Sequence, residues 1–173
     1  MRRLLLLSAG LLLSSCIQRP AIPNYAGSQL VGRPVSLKLP LHRAGGVMDL
    51  ANEKGKVVLL DLWATWCEPC VTQLQVYQDL QKEYGDRGLQ IYAINVDDDS
   101  AAVDRFVDQH RLTLPVPLDP NSAVTAELLN VNQLPTSVLI DRKGKVRVVH
   151  EGFDETRLGG YQREIEELLA EQP

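Results

Sequence analysis

The hydrophobic pattern of the chain changes period at residues 67–70. Residues 57–63, read as VVLLDLW, are an almost unbroken apolar run. A run without a polar position at every second residue suits a strand covered on both faces. Beyond Cys67 the apolar positions Leu74, Tyr77, Leu80 and Tyr84 recur at spacings of three and four, which is one face of a helix ending near Gly85. Residues 89–96 form a second buried strand, and 100–111 an amphipathic helix with Val103, Phe106, Val107 and His110 on one side. Together these segments predict a parallel βαβ unit.

The flanking patterns are weaker. Upstream, residues 35–39 predict a short strand and 47–50 another, joined through the Gly45-Gly46 turn. Downstream, 116–118 predict a short strand and 121–129 a helix. Residues 137–140 and 146–150 predict an antiparallel hairpin turned at Lys143-Gly144. A last helix over 154–170 carries Leu158, Tyr161, Ile165, Leu168 and Leu169. The sum is an α/β fold with a central mixed sheet flanked by helices.

The N-terminus belongs to a different class of sequence. Arg2 and Arg3 precede residues 4–13, which are apolar apart from Ser8 and Gly10, the layout of an export signal. That stretch falls well short of the roughly 20 residues a membrane-spanning helix needs. Cys16 follows Leu13-Ser14-Ser15, which resembles a bacterial lipobox, where the cysteine is acylated and becomes the new N-terminus. The plainer reading is a secretory signal cleaved nearby, with Cys16 a spare thiol. More than one acyl chain would anchor firmly, since a single chain binds only marginally. Residues 17–34 contain Pro20, Pro23, Gly27 and Ser28 with little periodicity, the composition of a linker. The expected organisation is a lipoprotein-type signal peptide over 1–15, a lipid-anchored tether over 16–34 and one domain over 35–173. The domain would face the periplasm or another extracytoplasmic space.

Composition narrows the function classes. With 173 residues and 45% apolar content, one compact domain plus short appendages fits better than two domains. Eighteen basic against 22 acidic side chains give a net charge of −4, and loss of Arg2 and Arg3 with the signal would leave 16 against 22. No basic run is present to neutralise a phosphate backbone, which argues against nucleic acid as a partner.

The candidate chemistry lies in Cys67 and Cys70 of Trp66-Cys67-Glu68-Pro69-Cys70. Two cysteines separated by two residues at a helix start can close a small disulfide. The helix N-terminus favours a thiolate on the first, so Cys67 is the candidate nucleophile. Cys70, one turn in, is the candidate resolving thiol. Pro69 stiffens the loop and occupies a first-turn position where its missing N–H is not needed. A zinc site would need four Cys or His ligands; the chain has one CxxC, and His42, His110 and His150 have no ligand spacing. A purely structural bridge fits the strand-to-helix placement poorly, and a peroxidase would want a Thr three residues before Cys67, where Ala64 stands. No metal and no cofactor beyond the redox disulfide is expected. The carboxylates Asp97, Asp98 and Asp99 read as caps and dipole partners of the following helix rather than as a cation site. Trp63 reads as core, and Trp66 as a border of the active site.

The residues "VVLLDLWATWCEPC" at 57–70, "INVDDD" at 94–99 and "QLPTS" at 133–137 closely resemble the TlpA/ResA-like branch of bacterial thioredoxin-fold proteins, over roughly residues 30–170. The resemblance implies a thioredoxin-like domain with an N-terminal strand extension and a central αβ insertion, here within parts of 89–118. It implies a protein-disulfide reductase acting on exported proteins, among them apocytochromes c, and re-reduced by a membrane electron donor. A monomer is expected. It also implies a cis Pro135 beside the cysteines, with Leu134 and Thr136 lining a substrate groove; the plainer reading is a trans proline starting an edge strand. Asp61, a costly carboxylate within an apolar strand, stands in the register of the buried thioredoxin aspartate that assists proton transfer at the resolving thiol. Its plainer reading is a carboxylate satisfied by local hydrogen bonds.

One position departs from the ResA pattern. Gln73 occupies the site of a family glutamate three residues after the second cysteine, and a neutral amide cannot act as a base, so the proton chemistry would fall to Asp61. Glu68 beside the nucleophile should oppose part of the thiolate stabilisation and so favour a reductant, unless it is screened by solvent. Two other functions stay open: a thiol oxidase, or a non-catalytic copper or apocytochrome chaperone, for which Met1 and Met48 are the only methionines available.

Overall fold

The computed structural model describes residues 29–172 apart from 44, 130 and 132. The signal, Cys16 and most of the expected tether lie outside the described residues. Strands β1 (Lys38–Pro40) and β2 (Val47–Asp49) form a small antiparallel hairpin. Then come β3 (Val57–Trp63), helix α1 (Glu68–Tyr84), β4 (Leu89–Asn95), α2 (Ser100–His110), the short α3 (Thr125–Leu129), β5 (Thr136–Ile140), β6 (Val146–Glu151) and α4 (Leu158–Ala170). The four-stranded sheet has the order β4-β3-β5-β6, with β3 parallel to β4, antiparallel to β5, and β5 antiparallel to β6.

The apolar run at 57–63 is central for a physical reason. All seven residues of β3 are buried, because both faces of the sheet are covered. Val57, Leu59 and Trp63 pack on one face with Leu74 and Tyr77 of α1, Phe106 of α2 and Ile165 of α4. Val58, Leu60 and Leu62 pack on the other with Leu37, Met48 and Leu129. Side chains alternate along a strand, so Asp61 lies on the helix-covered face with Leu59 and Trp63. The N-terminal hairpin covers the opposite face, which accounts for its presence.

Several boundaries differ from the sequence pattern. The first strand is shorter and shifted, and residues 32–35 instead run against the start of β6, with Gly32 N–H donating to the Val146 carbonyl and Val35 N–H to the Gly144 carbonyl. Leu30 and Val31 pack on the core there, so the last part of the expected tether is joined to the domain. Residues 116–118 form no strand. They run beside β4, where Ala93 and Asn95 N–H groups donate to the Pro115 and Pro117 carbonyls. Those prolines have no N–H to return, which leaves isolated bridges. The helix expected over 121–129 begins only at Thr125. Asn121 and Ser122 have left-handed φ values of 56° and 55°, which a right-handed helix cannot include, and Asp119 caps the true start by accepting from Val124 and Thr125 N–H at 2.9 and 2.8 Å. Among the described residues no helix is long and apolar enough to cross a membrane.

Candidate active site

β3 delivers the chain to the site and α1 carries it away. Trp63 ends the strand as buried core, its ring centroid 4.6 Å from that of Phe106. The turn that follows is held from the neighbouring strand end: Asp97 accepts from Thr65 N–H at 2.7 Å, from the Thr65 hydroxyl at 2.9 Å and from the Asn95 amide at 2.7 Å. Of the three carboxylates 97–99, only Asp99 caps α2, accepting from Ala101 N–H. Asp97 instead fixes the approach to the cysteines. Among the described residues no group of three His, Cys, Asp or Glu is arranged to hold a metal ion.

Cys67 is the N-cap residue of α1, with Pro69 in the first turn and no side chain capping the helix. The free N–H groups and the positive end of the dipole are thus left to the Cys67 sulfur when the pair is reduced. The two cysteines form a disulfide with Cα atoms 5.3 Å apart. Cys67 keeps 5% of its surface exposed and Cys70 none, so the first cysteine is the more accessible of the two. Glu68 and Pro69 are exposed. Trp66 is 73% exposed, a large apolar surface beside the disulfide.

The Leu134–Pro135 peptide bond is cis, as the resemblance implied, and Pro135 is buried. A cavity of about 360 Å³ opens between this loop and the cysteine turn, lined by Trp66, Asp97, Asp98, Asn121, Gln133 and Leu134 among others. Thr136 does not line it. Its side chain is fully buried and the hydroxyl donates to the Gln133 carbonyl at 2.8 Å, because the residue after the proline already belongs to the sheet and points inward. Gln133, Asn121 and Asp98 were not legible as site residues, since they converge from three separate loops.

Asp61 lies beneath α1 and is fully buried. Its Oδ1 accepts from the Ser137 hydroxyl at 3.3 Å and its Oδ2 has no partner. One long hydrogen bond leaves a buried carboxylate short of donors within the protein. Burial pushes its carboxyl well above the usual carboxylate range, with the Ser137 donor opposing. Gln73 and Tyr77 of α1 complete this buried cluster through 2.8 Å hydrogen bonds from the Gln73 amide to the Tyr77 and Ser137 hydroxyls. Ser137 and Tyr77 were missed as site residues; the available signal was a serine opposite an aspartate on adjoining apolar strands. The assembly places a disulfide at a helix start and a buried carboxyl beneath the same helix.

Residues 26–169 match the family model described as Redoxin. The thiol-disulfide oxidoreductase ResA of Oceanobacillus iheyensis is 37% identical over 119 residues, covering 68% of this chain and 62% of the relative, less than two thirds of its length. The protein of the same name from Bacillus thuringiensis strain Al Hakam is 35% identical over 145 residues, 83% of this chain and 75% of the relative. Among solved structures, a Chlorobium tepidum protein assigned as a thiol:disulfide interchange protein DsbE superposes with a TM-score of 0.76 at 33% identity, covering 81% of this chain and 98% of that one.

Proposed function

This chain belongs to the Redoxin family, and we propose that its Cys67–Cys70 pair is a thiol-disulfide oxidoreductase centre that reduces disulfides in exported proteins. The observation that carries this reading is the asymmetric disulfide at the uncapped start of α1, beside an open cavity and a cis proline. In the reduced protein the Cys67 thiolate attacks one sulfur of a partner disulfide, and the partner's other sulfur leaves as a thiolate that takes a proton. Cys70 passes its proton to Asp61 and attacks the Cys67 sulfur. The partner's second thiolate departs, two electrons have moved to the partner, and Cys67–Cys70 is again a disulfide. A membrane dithiol donor on the extracytoplasmic side restores the reduced pair, and acylation of Cys16 keeps the domain close to it. Trp66 and Leu134 offer the apolar contact for the partner segment, while the backbone by Pro135 offers strand pairing. Apocytochromes c are one class of partner with suitable cysteines.

The test is a pair of variants and a potential. Cys70→Ser should accumulate covalent mixed disulfides with exported partners, while Cys67→Ser should reduce no insulin disulfides. The potential of the pair should fall near the roughly −270 mV of thioredoxin. A value near about −120 mV would make the protein an oxidant, and full activity in Cys67→Ser would remove the mechanism.

A further inference from the structure

The helix-covered face of the sheet carries a polar pair under α1. Asp61 on β3 stands directly opposite Ser137 on β5, and directly paired residues share a face. Gln73 and Tyr77, one turn apart on α1, reach down onto them. The Gln73 amide nitrogen donates to the Tyr77 hydroxyl and to the Ser137 hydroxyl, both at 2.8 Å. The two hydroxyls are 2.7 Å apart, and Ser137 Oγ donates to Asp61 Oδ1 at 3.3 Å. All four residues are buried.

Hydrogen counting gives this cluster a direction. A primary amide has two hydrogens and a hydroxyl one. Both Gln73 hydrogens are committed, to Tyr77 and to Ser137. The single Ser137 hydrogen can serve Asp61 only if the Tyr77 hydroxyl donates to Ser137. Ser137 then accepts twice and donates once, so its capacity is filled. With Oδ1 engaged, Asp61 Oδ2 is the oxygen left without a partner.

We propose that Ser137 is a positioning residue for thiol-disulfide exchange: its hydroxyl, oriented by Gln73 and Tyr77, holds Asp61 Oδ1 and leaves Oδ2 to take the proton of the resolving thiol. The inference rests on the proton-transfer role of Asp61 proposed above. It also gives the buried Gln73 amide a purpose beneath α1. A neutral amide supplies both donors the hydroxyls need, whereas a carboxylate would accept from them and turn the Ser137 hydrogen away from Asp61. The step balances: the Cys70 proton moves to Asp61 Oδ2 as the Cys70 sulfur bonds to Cys67, and the electron pair of the mixed disulfide leaves with the partner's sulfur. The titratable groups packed on this cluster are Tyr77 of α1, whose hydroxyl feels the Asp61 charge, and His150 of β6, which stands opposite Ser137. His150 is itself paired with Glu164 of α4 at 2.6 Å and packs at a tilt against the Tyr161 ring. β4 contributes only Ala93 opposite Asp61.

The experiment follows the Asp61 carboxyl carbon by NMR through a pH titration of the oxidised protein. In parallel, the pH profile is recorded for release of a cysteine peptide from its mixed disulfide with Cys67. Ser137→Ala removes the donor to the ionised carboxylate, so both the titration midpoint and the rate profile should move upward by about one pH unit, a tenfold change in proton affinity. Tyr77→Phe should move both in the same direction by less, and Ser137→Thr, which keeps the hydroxyl, should restore the wild-type values. Unmoved profiles in Ser137→Ala and Tyr77→Phe overturn the assignment. Asp61→Asn separates the two readings. If Asp61→Asn slows release while the Ser137 and Tyr77 variants leave the pH profile in place, only the Ser137 assignment fails. Release at the wild-type rate in Asp61→Asn overturns both.

Discussion

At the residue scale, Asp61 is a costly choice, since the fold encloses a carboxyl and provides one weak donor for it. Its proton affinity makes a stability prediction independent of catalysis. The folded protein holds the Asp61 proton well above the pH at which an ordinary aspartate, near about 3.9, releases it. Between those two points the folded state binds one proton more than the unfolded state, so this contribution to stability is present at low pH and lost as pH rises. Asp61→Asn has no such proton. Its stability relative to wild type should therefore increase with pH by about 1.4 kcal/mol per unit until the folded Asp61 ionises. Urea unfolding at a series of pH values measures this, and a difference that stays constant with pH would contradict it. Asp49, Asp104 and Asp108, whose carboxyls are held low by Lys38 or Arg43, lose stabilisation in the opposite sense as pH falls. They do so equally in both proteins, and cancel in the comparison.

At the element scale, β3 organises the molecule because its two faces serve different covers. Leu60 and Leu62 face the N-terminal hairpin, while Trp63 faces the helices. Leu60→Ala removes a fully buried side chain from a site enclosed by two layers, and should destabilise the protein by about 2–5 kcal/mol in urea unfolding. The same substitution leaves the redox site on the other face untouched, so the potential of the cysteine pair should be unchanged. This strand and α1 were legible in the sequence because an unbroken apolar run and a stripe at spacings of three and four are local signals. The start of α3 was not legible. Its limit comes from the Asp119 cap and from two left-handed residues, which hydrophobic period does not record.

At the scale of the whole molecule, the N-terminal segment joins the described domain near Leu30, where it packs beside β6. An acylated Cys16 would tether this domain to a membrane. In cells expressing the full chain, Cys16→Ser should shift the protein from the membrane fraction to the soluble exported fraction and abolish incorporation of labelled palmitate. Retention in the membrane fraction without label would show that another feature anchors it.

The placement of the cysteines between a buried strand and a helix and the α/β class were both written in local patterns. Those patterns could name Cys67 and Cys70 and single out Asp61, while Pro135 was named through the family resemblance. Sequence alone could not choose between a satisfied and an unsatisfied Asp61, because that depends on Ser137, 76 residues away in sequence. Nor could it show that Thr136 turns inward while Gln133 and Asn121 line the cavity. Strand register and loop convergence decide which side chains meet, and both are set by packing between segments distant along the chain.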